Sequence, residues 1–343
     1  MKMKALLVGS GHWAQNHIRA YQACKEVELV GLVDVFPGAA VEAVAKQFGI
    51  GYASRDLREA VKAVKPDLVD VAANPHYRLE ALRAAEGLGV KLFNLEKPLA
   101  LTPDEAYQID WMTRAGKARV VVGHQKKWMK TWARMAKVIR DGDLGPIRFY
   151  RATCRGNLLE QGTHLVDMVL YFHQYRPLKW VMGQVDDLQG FDKEGAPAPD
   201  AAIATLCFDD DTRAYLTLGS AGYAVPGEAE FWFQMAVEAY GDRGHIKNTL
   251  NQKLEIACYD KGTLVREDSS WDADWLAGLS AHLDAAARYA ADPAVGHISS
   301  MENSIKSYQA IMAIYASAAG AGRVTLPQAF GNSILAKLQA RRA

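Results

Sequence analysis

The chain is 343 residues long, beyond the usual size of one domain, so two domains with substantial cores are the default expectation. Its 40 basic and 39 acidic residues nearly cancel, which gives no basis for a nucleic-acid or anionic-membrane partner. Cys24, Cys154, Cys207 and Cys258 lie too far apart for a zinc or dithiol motif and read as small buried hydrophobes.

After Met1-Lys2-Met3-Lys4 the chain enters an apolar run, Ala5-Leu6-Leu7-Val8, so no signal peptide is expected. No apolar run approaches the ~20 residues of a membrane span, so a cytoplasmic protein without a membrane partner is expected. The run ends at Gly9-Ser10-Gly11-His12-Trp13-Ala14 and a helix-compatible segment follows to Cys24, an order that reads strand, tight turn, helix. A second apolar run, Leu29 to Val33, ends in Asp34 at dinucleotide-fingerprint distance. Gly9 permits the turn, Gly11 lets the backbone approach a pyrophosphate, and Ala14 lets helix and strand pack closely. The Asp34 carboxylate can accept both ribose hydroxyls and would repel a 2′-phosphate, which favours NAD over NADP. The competing reading of Asp34 is a cap on the next turn.

Strand and helix then alternate. Helical patterns span Gly38 to Phe48, Asp56 to Val64, His76 to Gly87 and Pro103 to Ala115, between strand-like runs at Leu68 to Ala72, Val90 to Phe93 and Val120 to Val122. The repetition implies a doubly wound parallel sheet, with ligands gathering at the carboxyl ends of its strands. Three loops are placed there: Gly9 to Ala14, Ala73 to His76 and Asn94 to Pro98. The pattern changes near Gly123. A helix from Met129 to Arg140 precedes an alternating strand at Ile147 to Thr153, a helix at Leu165 to His173, and strand-like runs at Trp180–Val185, Ala202–Phe208, Ala214–Ser220, Phe231–Tyr240 and Lys253–Tyr259. Helices return at Trp275 to Ala290, Ser300 to Ala319 and Gln328 to Arg341, and Pro197-Ala198-Pro199 reads as a surface loop. The fold class is therefore α/β: a Rossmann domain over 1–123 and an α+β domain with a large, mostly antiparallel sheet over 124–343.

The residues Gly9 to Ala14, then Glu96-Lys97-Pro98, then Gly162-Thr163-His164 with Asp167, resemble in type and order the glucose-fructose oxidoreductase, inositol dehydrogenase and rhizopine-catabolism (Gfo/Idh/MocA) family. The similarity covers nearly the whole chain and extends to Ser300-Met301-Glu302-Asn303-Ser304 and Val324-Thr325-Leu326-Pro327 near its end. The resemblance implies oxidation or reduction of one hydroxyl carbon of a sugar, sugar derivative or cyclitol by a nicotinamide cofactor. It also implies an open C-terminal sheet that supports substrate on one face and often makes subunit contacts with the other. Carried over, Lys97 contacts the cofactor ribose and the reacting hydroxyl, and His164 is the acid or base.

The chemistry itself asks for similar parts. A secondary alcohol that gives up a hydride must also lose its hydroxyl proton, which needs a group titrating near neutrality within hydrogen-bond reach, a role for His164. A neighbouring ammonium stabilises developing alkoxide, a role for Lys97. The competing readings are a solvated loop lysine and a histidine satisfied in the core. Glu160, His164 and Asp167 share a helix face if the helix runs through all three, where Glu160 would orient substrate; a metal on that face lacks further ligands nearby and none is expected.

Glu160 stands where the family commonly has Asp, and Lys127-Trp128 where an Arg with an aromatic neighbour is usual, so both bear on the substrate. Trp128 either stacks on a sugar or packs at a helix flank, and Arg155 and Asn157 are candidate substrate contacts. His12, Trp13, Asn74, Pro75, His76, Glu96 and Gln125 are expected to border the cofactor, with His124 beside Gln125, while His17 reads as an ordinary helix residue. Phe231-Trp232-Phe233 reads as part of a strand. An apolar sheet face would need covering, so a homodimer or homotetramer is expected. Alternative functions are an enzyme that retains its NAD through oxidation, elimination or epimerisation and re-reduction, and a silent dinucleotide or sugar sensor.

Overall fold

The computed structural model describes residues 2–116, 119–186, 192–193, 196–260, 262–320 and 322–340. They form two compact units. The first comprises 1–101, 105–128 and 275–305, and the second comprises 102–104, 129–274 and 306–343.

The first unit alternates β1 (Met3–Val8), α1 (His12–Ala23), β2 (Val27–Val33), α2 (Val41–Phe48), β3 (Ala53–Ser54), α3 (Leu57–Val64), β4 (Leu68–Val71), α4 (Tyr77–Ala85), β5 (Leu92–Leu95), α5 (Pro103–Arg114) and β6 (Arg119–Val122). All its strand pairs are parallel, in the order β3-β2-β1-β4-β5-β6, the doubly wound arrangement whose strand order reverses beside β1. The strands are apolar because both faces are covered. On one face Leu7 and Leu32 pack with Ala14 and Ile18 of α1 and with Val41, Val44 and Ala45 of α2.

The second unit holds α6 (Lys130–Arg140), β7 (Ile147–Cys154), α7 (Gln161–Phe172), β8 (Leu178–Asp186), the short pair β9 (Asp192–Lys193) and β10 (Ala196–Pro197), β11 (Ala201–Phe208), β12 (Arg213–Gly219), β13 (Met235–Gly241), β14 (Gly244–Thr249), β15 (Lys253–Cys258) and β16 (Thr263–Asp268). Helices α8 (Trp271–Ala291) and α9 (Met301–Gly320), strand β17 (Val324–Thr325) and α10 (Ser333–Ala340) complete the chain. The nine-stranded sheet runs β16-β15-β14-β13-β7-β12-β11-β8-β17 and is antiparallel except where β7 meets β12. Alternation along β8, β11 and β12 buries Val181, Ala204 and Leu216, and leaves Met182, Ile203 and Tyr215 about half exposed on the opposite face.

Three features differ from the sequence reading. Most of α8 belongs to the first unit: Leu279, Leu283, Ala286 and Ala290 close over Ala5, Val27, Leu68, Leu92 and Val121, so a contiguous break at 123/124 does not describe the chain. Burying each of those two leucines contributes about 1.5–3 kcal/mol, which a solvent-facing helix would forgo. Phe231–Phe233 is a single 3-10 turn with Phe231 and Trp232 exposed, and the strand starts only at Met235, because Gln234 turns inward to bond the Val225 N–H and the Glu228 carbonyl. Ala198 and Pro199 are buried, so that Pro-rich stretch marks a break in regular structure without lying on the surface. The side chain of Pro197 and the end of the expected tail helix at Arg341 lie outside the described residues.

Candidate functional site

In the first unit the candidate site grows from the β1–α1 turn. Gly9 has a φ of +114°, and a Cβ there would stand 2.5 Å from the Ala72 carbonyl oxygen, so only glycine fits. Gly11 caps α1, and a Cβ there would meet nothing within 4 Å. The space beside the N-terminus of α1 is therefore open at Gly11, and no side chain caps that end, as an anion cradle requires. Ala14 is buried against the sheet, Trp13 is half-buried and His12 is exposed. Asp34 does two local jobs: its Oδ2 accepts the Ser10 N–H at 2.8 Å and the Ser10 hydroxyl at 2.6 Å, and its Oδ1 accepts the Phe36 N–H at 3.1 Å. The turn-capping role is thus present, and it fixes the carboxylate beside the glycine turn. A dinucleotide fits these residues: a φ-positive turn, an open helix end and an anchored carboxylate.

After β4, the Asn74 side chain accepts the His76 N–H at 3.0 Å and its carbonyl accepts the Tyr77 N–H, with Pro75 buried and His76 exposed. After β5, Glu96 is buried and Lys97 half-buried. The His17 ring bridges two carboxylates, 2.7 Å from Asp70 through Nδ1 and 3.2 Å from Glu96 through Nε2. Burial alone would lower the His17 pKa, but Asp70, by charge and hydrogen bond, and then Glu96 outweigh it and raise it to about 10. Burial would likewise raise Glu96, but the bond and charge of His17, the charge of Lys97 and the Trp13 indole lower it to about 2.

His124 and Gln125 are buried after β6, and Gln125–Trp128 forms a 3-10 turn. Lys127 is wholly buried and donates to the Ile298 carbonyl at 3.2 Å, while the Trp128 ring lies against His297 and His282, centroids 5.4 and 6.2 Å away. Burial and then the charge of Lys127 lower His297 to about 3; burial and then the charges of His297 and Lys127 lower His282 well below its ordinary value. In this unit Lys127 and Trp128 thus engage the α8 region, the packing alternative for the tryptophan.

In the second unit β7 leads through Arg155 and Asn157 into α7. The Asn157 carbonyl accepts the N–H groups of Glu160 and Gly162, its Nδ2 donates to Glu160 Oε2 at 3.3 Å, and its Oδ1 accepts the Leu159 N–H. Glu160 caps α7, so His164 and Asp167 sit on consecutive turns of the helix that starts behind it. Gly162 is obligatory: a Cβ there would stand 2.9 Å from the Asn157 carbonyl oxygen and 2.8 Å from Leu218. His164 is buried. Asp167 is fully buried and accepts the hydroxyls of Tyr175 at 3.0 Å and Ser307 at 2.9 Å, which ties α7 to α9. Arg155 is exposed and its guanidinium donates to the Gly222 carbonyl at 3.4 Å.

Sequence reasoning missed the His17–Asp70 pair. The signal was available: Asp70 interrupts the apolar run Leu68-Val69-Asp70-Val71, and a buried carboxylate demands a partner. Ala14, His17, Ile18 and Tyr21 also fall on the inner face of α1.

Residues 3–124 match the sequence model of the GFO_IDH_MocA family, described as an oxidoreductase family with an NAD-binding Rossmann fold. The chain is 25% identical over 273 residues to a D-apiose dehydrogenase of Paraburkholderia graminis, covering 74% of this chain and 70% of that protein. It is 23% identical over 272 residues to an inositol 2-dehydrogenase of Rhizobium meliloti, covering 76% and 80% respectively. The crystal structure of an oxidoreductase from Agrobacterium radiobacter, solved with NAD+, L-tartaric acid and magnesium, superposes with a TM-score of 0.80 at 17% identity, over 95% of this chain and 98% of that one. At that identity the likeness establishes the fold.

Proposed function

We propose that the chain, whose residues 3–124 match the Gfo/Idh/MocA oxidoreductase family model, oxidises or reduces a ring hydroxyl of a sugar, sugar derivative or inositol-like polyol with NAD. The observation that carries the reading is the β1–α1 turn, with Gly9 locked beneath Ala72, Gly11 open and Asp34 anchored by Ser10. The dehydrogenase names of the apiose and inositol relatives support the substrate class.

NAD supplies the hydride acceptor or donor when bound. Gly9, Gly11, His12, Trp13 and Ala14 would hold its pyrophosphate end, Asp34 its adenosine ribose, and Asn74, Pro75, His76, Glu96, Lys97 and Gln125 the remainder. Asp34 Oδ1 still has a lone pair to offer a ribose hydroxyl, and the carboxylate repels a 2′-phosphate, so NAD is preferred over NADP. His164 takes the hydroxyl proton during oxidation and returns it during reduction. The Lys97 ammonium stabilises the developing alkoxide. Glu160 orients the substrate hydroxyls with Asn157 and Arg155. Lys127, Trp128 and Asp167 act through the backbone and rings they hold. The half-exposed Met182, Ile203 and Tyr215 on one sheet face support self-association as a homodimer or homotetramer, which light scattering tests.

The deciding experiment mixes the purified protein and NAD+ with a panel of inositols, aldoses, glycosides and sugar acids and follows nicotinamide absorbance. NADH should accumulate with at least one cyclic polyol or sugar. Binding of NAD+ without NADH from any of them would overturn the reading.

A further inference from the structure

Beneath the Glu96-Lys97-Pro98 loop runs a chain of buried polar side chains that hydride chemistry does not call for. Asn94 donates to Asp70 Oδ1 at 2.8 Å and its own Oδ1 lies 2.9 Å from His282 Nε2. Tyr21 donates to Asp70 Oδ2 at 2.9 Å, on the same oxygen that meets His17. His17 then reaches Glu96, whose second oxygen accepts the backbone N–H of Lys97 at 3.2 Å. From the other side Arg78, buried in α4, donates to the Lys97 carbonyl at 3.1 Å and to the Pro98 carbonyl. Both peptide groups of Lys97 are therefore held by side chains that are themselves buried. Gly123 completes the seat, since a Cβ there would stand 2.5 Å from Glu96 Oε1.

A core has no need of this arrangement. Replacing a buried ion network by well-packed apolar residues is often neutral or stabilising, so an imidazole between two carboxylates is poorly explained by stability alone. What the network does provide is a fixed endpoint. The Glu96 carboxylate has one oxygen on His17 and the other on the Lys97 N–H, so the loop cannot shift without leaving a buried charge short of a partner. We propose that His17, seated between Asp70 and Glu96, is a positioning residue that fixes the backbone of Lys97, with Arg78 as the opposing hold. The proposal rests on the reading of Lys97 as the alkoxide-stabilising group, since a fixed backbone limits where that ammonium can reach.

The test uses the full chain and the variants His17→Gln, Lys97→Met and the double variant. Hydrogen exchange read by mass spectrometry on a peptide covering Glu96 to Leu101 needs no substrate. It should speed up at least about tenfold in His17→Gln, with peptides from β1 and α2 unchanged. With NAD+ and the panel compounds, His17→Gln should lower kcat about 10- to 100-fold, the scale set by a misplaced catalytic group. KM for the sugar or polyol should stay within about threefold at saturating NAD+, since that substrate would not touch His17. In the double variant the His17 change should add little to the loss from Lys97→Met, because the two act as one unit. Unchanged exchange at 96–101 in folded His17→Gln, or losses that multiply in the double variant, would overturn the proposal. Full activity in Lys97→Met would instead overturn the reading of Lys97, with the exchange result still deciding whether His17 fixes the loop. Asp70→Asn keeps the shape but removes the charge beside His17 and turns one acceptor oxygen into an N–H donor, and it serves in the same way where His17→Gln does not fold.

Discussion

Gly9 and Gly11 stand two residues apart in one turn, yet replacing each by alanine should break different things. At Gly9 the backbone sits at φ +114°, where an L side chain costs about 1–2 kcal/mol. The added methyl also meets the Ala72 carbonyl oxygen at 2.5 Å. That oxygen lies just past the end of β4 and has little room to move, so overpacking adds about 1–3 kcal/mol. Gly9→Ala should therefore lose about 2–5 kcal/mol of stability, seen as a clear fall in the urea midpoint of the first unit. At Gly11 φ is ordinary and no atom lies within 4 Å of the new methyl, so stability should change by no more than about 0.5 kcal/mol. The methyl projects into the space assigned to a pyrophosphate, where about 1–3 kcal/mol of overpacking corresponds to a 5- to 150-fold loss of NAD+ affinity. Urea unfolding and NADH fluorescence titration on the two variants separate the effects. A Gly11→Ala protein that binds NADH as tightly as wild type, or that loses as much stability as Gly9→Ala, would refute the assignment of that open space.

Asp34→Arg should weaken NAD+ binding about 10- to 150-fold, the loss of a charged hydrogen bond to a ribose, and narrow the gap to NADP+; titration with both cofactors checks it. The His17 interaction stabilises fully below an ordinary histidine pKa of about 6.5 and is lost as pH rises through about 10, so the urea midpoint should fall across that window. The contribution is on the order of 3–5 kcal/mol, and His17→Gln should flatten that part of the profile. Gly162→Ala, whose methyl would press on the Asn157 carbonyl and Leu218, should displace the first turn of α7 and lower kcat while NAD+ affinity holds, as paired turnover and titration would show.

The first unit was legible because its signals are local. A glycine turn between a strand and a helix, an acid at the end of the next strand and a Glu-Lys-Pro loop can each be read within a few residues. The rest depends on partners distant in the sequence. His17 meets Asp70 across 53 positions and Glu96 across 79, and nothing in the helical pattern around His17 names either acid. The spacing of Leu279, Leu283, Ala286 and Ala290 announces an apolar helix face, but not that it covers β1 and β4. Strand β16 was missed because every side chain along Thr263–Asp268 is exposed or half-buried, which erases the alternation a strand is recognised by. At the candidate site, Lys127 and Asp167 have polar side chains that suggest solvent or ligand, yet both are buried in intramolecular bonds that only tertiary packing creates.

The most direct test of the account is proton and hydride handling in two single variants, Lys97→Met and His164→Asn, measured beside wild type with NAD+ and a panel compound that wild type oxidises. The account predicts that His164→Asn binds NAD+ within about threefold of wild type, that Lys97→Met binds it more weakly because Lys97 also borders the cofactor, and that at saturating NAD+ both form NADH about 10²- to 10⁴-fold more slowly, the range for loss of a general base or an alkoxide-stabilising group. Undiminished NADH formation in either variant would contradict it.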